Sequence, residues 1–196
     1  ITTDAPSTIT GNVPQAVTGL LQVGGGRYIS SSDYHDVNIF NSGTLELSGP
    51  ITVSGTWNND GAFVHNNHGV TFDGGDGQII AGVTTFWDLT KVVTTSQTLY
   101  LQPSHAQTVE NHLTFTGAPG ELLFLRPIAN SGTWFIKADG THTVDYVNVA
   151  NSNAGGGPTI TATNSVDGGG NNNWNFGAVL PPDTPAVSNS GQTYNG

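Results

Sequence analysis

The stretch VTFDGGDGQIIAGVTTFWDLTKVV, residues 70–93, decides how this chain is read. Val70 and Phe72 alternate with Thr71. Residues 73–77, Asp-Gly-Gly-Asp-Gly, then demand a turn before Gln78, Ile79 and Ile80 resume an extended run. Ala81 and Gly82 break the chain again, Phe86 and Leu89 return apolar side chains to an interior, and Val92 and Val93 run into the next corner. Three short strands separated by two tight corners make one turn of a β-solenoid. In such a rung Val70, Phe72, Ile80, Phe86 and Leu89 point inward, while Thr71 and Asp73 face solvent.

The same punctuation continues on both sides. Val37 and Ile39 precede the corner Asn41-Ser42-Gly43, Leu45 and Leu47 precede Ser48-Gly49-Pro50, and Ile51 and Val53 follow. Downstream, Leu99 and Leu101, Leu113 and Phe115, residues 122–125, 134–136, 144–149 and 159–162 are each about a strand long and bounded by Gly, Asn or Asp. No helical periodicity persists. The two-residue Asn-Gly hairpin turn is missing between these runs, which favours corners over hairpins. Local echoes, Ser54-Gly55-Thr56-Trp57 against Ser131-Gly132-Thr133-Trp134, point to a repeat. Three strands at a time give a rung of roughly 24 to 30 residues and about six or seven rungs. The competing architecture is an antiparallel β-sandwich with similar strand spacing.

Composition narrows the function. The 196 residues carry a net charge of −10, from 14 acids against four basic residues, which argues against nucleic acid or an anionic membrane as partner. Only 9% of residues are charged, so the surface is largely neutral and polar, as suits β-structure outside a cell. There is no cysteine, hence no disulfide framework and no thiolate metal site. No run approaches the ~20 apolar residues of a membrane-spanning helix. The division expected along the chain is an N-terminal cap or extension over residues 1–36, a β-helix over 37–177, and a Pro-rich linker or the start of a following module over 178–196.

Two segments carry a family resemblance. Val70-Thr71-Phe72-Asp73-Gly74 with Gln78, Ile80, Gly82, Thr85-Phe86 and Leu89 forms one motif. The other runs through residues 144–149 to Asn172-Asn173-Trp174-Asn175-Phe176. Together they resemble modules of large, adhesin-like bacterial surface proteins with right-handed parallel β-helix repeats. The resemblance implies an all-β right-handed parallel β-helix secreted to the outside of a bacterium, with Val147, Trp174 and Phe176 among its core residues. It implies a structural module without enzymatic activity, whose partners are copies of itself or adjacent modules of a longer chain.

Residues capable of chemistry are sparse. Asp73 and Asp76 lie in a Gly-rich loop and could share a Ca²⁺, and Asp167 in Asp167-Gly168-Gly169-Gly170 invites the same idea, but a solvent-exposed corner is the preferred reading of each, and no resident cofactor is expected. A polysaccharide lyase or hydrolase would need clustered acids with Arg or Lys, and no catalytic pair can be assigned among Asp73, Asp76, Asp88, Glu110 and Asp145. His65 and His68 lack a third ligand. The four tryptophans could be sugar-stacking platforms, which keeps a glycan-binding or adhesive module as the alternative, although strand-like surroundings favour packing for most of them. Thr159, Thr161 and Thr163 share one strand face. Such an array could bind ordered water, ice or a glycan if neighbouring rungs repeated it, and no repetition is evident in the sequence.

Overall fold

A computed structural model of the chain describes residues 19–177, together with the backbone of two short strands, Thr2–Thr3 and Thr8–Thr10. Within these residues the protein is all-β and has no α-helix; the single helical element is a 3-10 turn, Ile128–Asn130. Every ladder between its strands is parallel. That rules out the antiparallel sandwich. The protein is a parallel β-helix, and a right-handed crossover is the sense that strand twist favours.

Hydrogen bonds join the strands into sheets of eleven and nine strands, yet the helix has three faces. Asp36–Leu47 shows why: residues 36–39 continue the first face and pair onward with Thr56–Asn59, whereas residues 44–46 continue the second face and pair with Ala62–Val64. Ala106–Thr116 likewise pairs with Trp134–Ala138 through its first half and with Thr141–Asp145 through its second. Register shifts between Val23 and Gly25 and between Phe86 and Asp88 mark where long strands bend from one face to the next. The third face stacks Ile51–Val53, Val70–Phe72, residues 88–92, residues 112–116, Thr141–Asp145, Ile160–Thr163 and Trp174–Phe176.

Residues 70–93 do form three strands, Val70–Phe72, Gln78–Gly82 and Thr84–Val92. They do not close one rung, because Val70–Phe72 completes the rung begun by Thr56–Asn59 and the next rung starts at Gln78. Most rungs are also shorter than the spacing argument gives. Down one inward column, Val37 to Trp57 to Ile80 to Leu101 to Pro127, the steps are 20, 23, 21 and 26 residues. Corners are the reason: several are a single residue or a bend within a continuous strand. Eight strands, from Leu20–Ser30 to Val166–Asp167, stack on the first face, with Thr2–Thr3 pairing ahead of them, so residues 20–177 alone hold eight rungs rather than six or seven. Leu20–Ser30 already pairs along its length with Asp36–Leu47, so the stacked helix begins at residue 20 or before, upstream of the boundary at 37. The linker expected over 178–196 lies outside the described residues.

The interior is a set of vertical columns. Leu21, Val37, Trp57, Ile80 and Leu101 stack on the first face, and Ile51, Val70, Leu89 and Leu113 on the third, each at most 2% exposed. Phe72, Phe86 and Val147 are fully buried with them. Burying each such side chain removes ~1.5–3 kcal/mol worth of apolar surface from water. Trp174 and Phe176, expected in the core, are only half-buried. They belong to the last described rung, which among the described residues is covered from one side only.

Two glycines are fixed by the close approach of successive rungs. A Cβ on Gly82, whose φ is +74°, would lie 2.0 Å from the Asn59 carbonyl oxygen. One on Gly74 would lie 1.8 Å from that of Ser54.

Candidate functional site

Buried polar side chains cluster where the first face meets its neighbours. Trp57 Nε1 donates to Thr84 Oγ1 at 3.0 Å, Asn59 Nδ2 donates to the Val83 carbonyl at 2.9 Å, and Gln107 Nε2 donates to the Gly82 carbonyl at 2.8 Å. The Asn59 and Gln107 amides satisfy backbone oxygens that the tight corner turns out of the ladder. Trp57 also packs edge-on to Phe63 at 4.9 Å and against Phe86 at 5.5 Å. All of this holds the corner in place and leaves none of the polar groups facing a substrate.

Lys91 is the residue that sequence reasoning passed over. It occupies the inward column of the third face between Phe72 and Phe115 and has no exposed surface. Its Nζ donates to Gln78 Oε1 at 2.6 Å and to the Gly74 carbonyl at 3.2 Å. Gln78 in turn donates through Nε2 to the Val53 carbonyl at 2.8 Å. Burial pushes the Lys91 ammonium down to about 8, against the opposing pull of Asp73 and Asp76. The signal was in the alternation: Leu89 inward, Thr90 outward, Lys91 inward.

The acids considered as Ca²⁺ ligands have structural work in their corners. Asp76 Oδ1 accepts from the Thr98 amide of the next rung at 2.5 Å. Asp167 Oδ1 accepts from the Gly169 amide at 2.9 Å and from Asn171 Nδ2 at 2.6 Å, closing the triple-glycine corner. Asp73 is exposed, and its amide donates to the Val53 carbonyl at 3.2 Å. Among the described residues no three His, Cys, Asp or Glu side chains stand where they could hold one metal ion.

One exterior cluster gathers groups that the sequence kept apart. His65 stacks on Trp87 with ring centroids 5.7 Å apart and planes at 28°, and its Nε2 lies 3.2 Å from Glu110 Oε2. Asn111 Nδ2 donates to Asp88 Oδ1 at 2.7 Å beside them. Of the tryptophans, Trp57 and Trp134 are fully buried, the latter donating to the Ala150 carbonyl at 2.9 Å, while Trp87 and Trp174 are half-buried. His68 does not join His65 in any shared site. Its amide donates to the His65 carbonyl at 2.8 Å.

The outward side of the third face corrects an expectation. Thr52 pairs with Thr71, Thr71 with Thr90, Thr90 with Thr114 and Thr114 with Thr143. Thr143 and Thr161 follow in the same register, one residue before the Val144 and Ala162 pair. Six threonines thus form one continuous column, which is the repetition across rungs that the sequence did not reveal. At the C-terminal end His112 bonds the flank, with Nδ1 2.6 Å from Thr141 Oγ1 and Nε2 3.2 Å from Thr143 Oγ1. Burial and the neighbouring His112 hold His142 below the usual imidazole range.

Compared with family models, with curated proteins and with solved structures, the chain gives no match.

Proposed function

We propose that this chain is a non-enzymatic structural module of an extracellular bacterial surface protein, stacking end to end with copies of itself or with adjacent modules into a stalk or filament. The terminal rung carries this reading. Trp174–Phe176 pairs on one side with Ile160–Thr163, and among the described residues no strand pairs with its other side. Its two rings, stacked 6.0 Å apart, are half-exposed there, and Val166 on the same rung is 42% exposed. An open parallel edge lined with apolar groups is a template for another β-structured unit. The neutral polar surface and the lack of cysteine support a place outside the cell, and the net charge of −10 speaks against nucleic acid. The hydrogen bonding of Asp76 and Asp167 supports a protein that needs no Ca²⁺.

The test is electron microscopy and sedimentation of the purified chain over a concentration series, alongside Phe176→Pro, which removes an amide that faces away from Ile160–Thr163 and so blocks strand addition at the edge. Fibres or dimers that the substitution abolishes are the expected result. Monodisperse single particles at every concentration would overturn the reading.

A second reading, a glycan-binding or adhesive module, rests on the half-buried Trp87 ring beside His65 and Glu110. Retention on a polysaccharide matrix that Trp87→Ala abolishes would favour it.

A further inference from the structure

We propose that the outward side of the third face is a binding surface for crystalline water, that is, for ice. Three observations carry this. The first is geometry: the column Thr52, Thr71, Thr90, Thr114, Thr143 and Thr161 repeats once per rung, at a spacing of ~4.8 Å set by parallel strand pairing. Toward the C-terminal end Thr116 lies two residues after the column, at ~6.6 Å along the strand, and is followed across the rungs by Asp145 and by Thr163, whose hydroxyl donates to Asp145 Oδ1; Thr141, two residues before the column, is bonded to His112.

The second is chemical state. Among the described residues the hydroxyls of Thr52, Thr71, Thr90, Thr114 and Thr161 make no hydrogen bond to protein. Each keeps a donor and two acceptor sites for water. A β-branched side chain on a strand is stiff at χ1, and a fully paired sheet holds the backbone beneath it, so the hydroxyls and methyls present a fixed pattern that little entropy is lost in ordering. Repeated hydroxyl acceptors separated by methyl groups match a lattice of tetrahedral water. An irregular charged surface hydrates too strongly and too unevenly to do so.

The third is contrast between faces, which argues against threonine placed for β-propensity alone. On the first face an outward column runs Gln22, Asn38, Asn58 and Ala81, and on the second face Arg27, Thr44 and Ala62 follow one another. Propensity would enrich threonine on all three. Among the described residues the outward positions of the third-face strands carry no Phe, Tyr or Trp, and the imidazole there, His112, is engaged by Thr141 and Thr143. A crystalline polysaccharide would be gripped by stacked rings, so ice is the better occupant of this face.

Ice affinity is measured with fluorescently labelled protein during slow ice growth, with thermal hysteresis and crystal shaping as a second readout. The unmodified chain is expected to enter the ice and to shape crystals. Thr114→Lys with Thr143→Lys, at the centre of the array, should lose both properties while unfolding at an unchanged temperature. Thr108→Lys, an outward threonine of the second face, should retain them. Should the double variant fail to fold, Thr161→Lys near the end of the helix replaces it. Exclusion of the unmodified chain from ice would overturn the proposal, as would equal loss in Thr108→Lys. Retention on crystalline cellulose or chitin with no ice activity would assign the face to a polysaccharide instead and overturn it as well.

Discussion

Raising the pH from about 7 to about 9.5 is expected to stabilise the protein through Lys91. The ammonium is fully buried between Phe72 and Phe115, with Gln78 Oε1 and the Gly74 carbonyl as its acceptors. Burial lowers its pKa to about 8, against 10.5 for an unburied lysine. Below pH 8 both folded and unfolded chains hold the proton, and the folded state bears the full cost of the buried charge. Between the two values the unfolded chain binds more protons than the folded one, so stability rises with pH. The gap corresponds to roughly 3 kcal/mol in all, of which about 2 kcal/mol is gained by about pH 9.5. Tyr34 works in the opposite direction at higher pH. Burial raises its pKa, so the folded phenol keeps a proton that the unfolded one releases, and stability falls as pH climbs past 10.0. The measurement therefore stops short of that range. Urea unfolding of the unmodified chain and of Lys91→Met, a flexible side chain of similar length without a titrating group, isolates the effect. The unmodified chain should gain about 2 kcal/mol relative to the variant between the two pH values. Parallel pH profiles would show that Lys91 is solvated in solution and would refute the placement.

Substitutions at Gly82, Gly75 and Asp76 test the corners. Gly82→Ala must strain a positive φ and place a methyl group 2.0 Å from a neighbouring carbonyl, so it should cost more than ~1 kcal/mol in urea unfolding. Gly75→Ala, with nothing within 4 Å of its added Cβ, should stay within about ±0.5 kcal/mol. Asp76→Ala should destabilise by ~1 kcal/mol through the loss of the bond from the Thr98 amide, with Asp76→Asn recovering most of it. Added Ca²⁺ or a chelator should leave the unfolding temperature of the unmodified chain unchanged; a rise with Ca²⁺ that Asp76→Ala removes would make the corner a metal site.

What could be read in the sequence depended on how far local rules reach. The strands within residues 70–93 were legible because Val70, Phe72, Ile80, Phe86 and Leu89 alternate cleanly and the Asp-Gly corners between them are explicit. The rung over residues 20–34 was not, since Gly24, Gly25 and Gly26 interrupt the apolar alternation where the strand bends between faces. Rung length was overestimated because a corner such as that at Trp87 contains no turn residue at all. The threonine column was hidden by unequal steps. Thr52, Thr71, Thr90, Thr114, Thr143 and Thr161 are 19, 19, 24, 29 and 18 residues apart, so no fixed period brings them together. Their local mark is a threonine flanked by two inward residues, as in Ile51-Thr52-Val53, Val70-Thr71-Phe72 and Leu113-Thr114-Phe115. Only the register of the folded chain turns that mark into a surface.

The β-helix stands or falls with that register, and a chain without cysteine allows it to be probed cleanly. In-register partners on adjacent parallel strands lie ~4.8 Å apart, inside the roughly 4.4–6.8 Å window that a disulfide spans. Thr90→Cys with Thr114→Cys, partners across the third face, should therefore cross-link completely under mild oxidation while the chain remains folded. Thr90→Cys with Thr108→Cys, which sit on different faces, should stay reduced. Cross-linking of the second pair, or failure of the first in folded protein, would contradict the β-helix register and everything built on it.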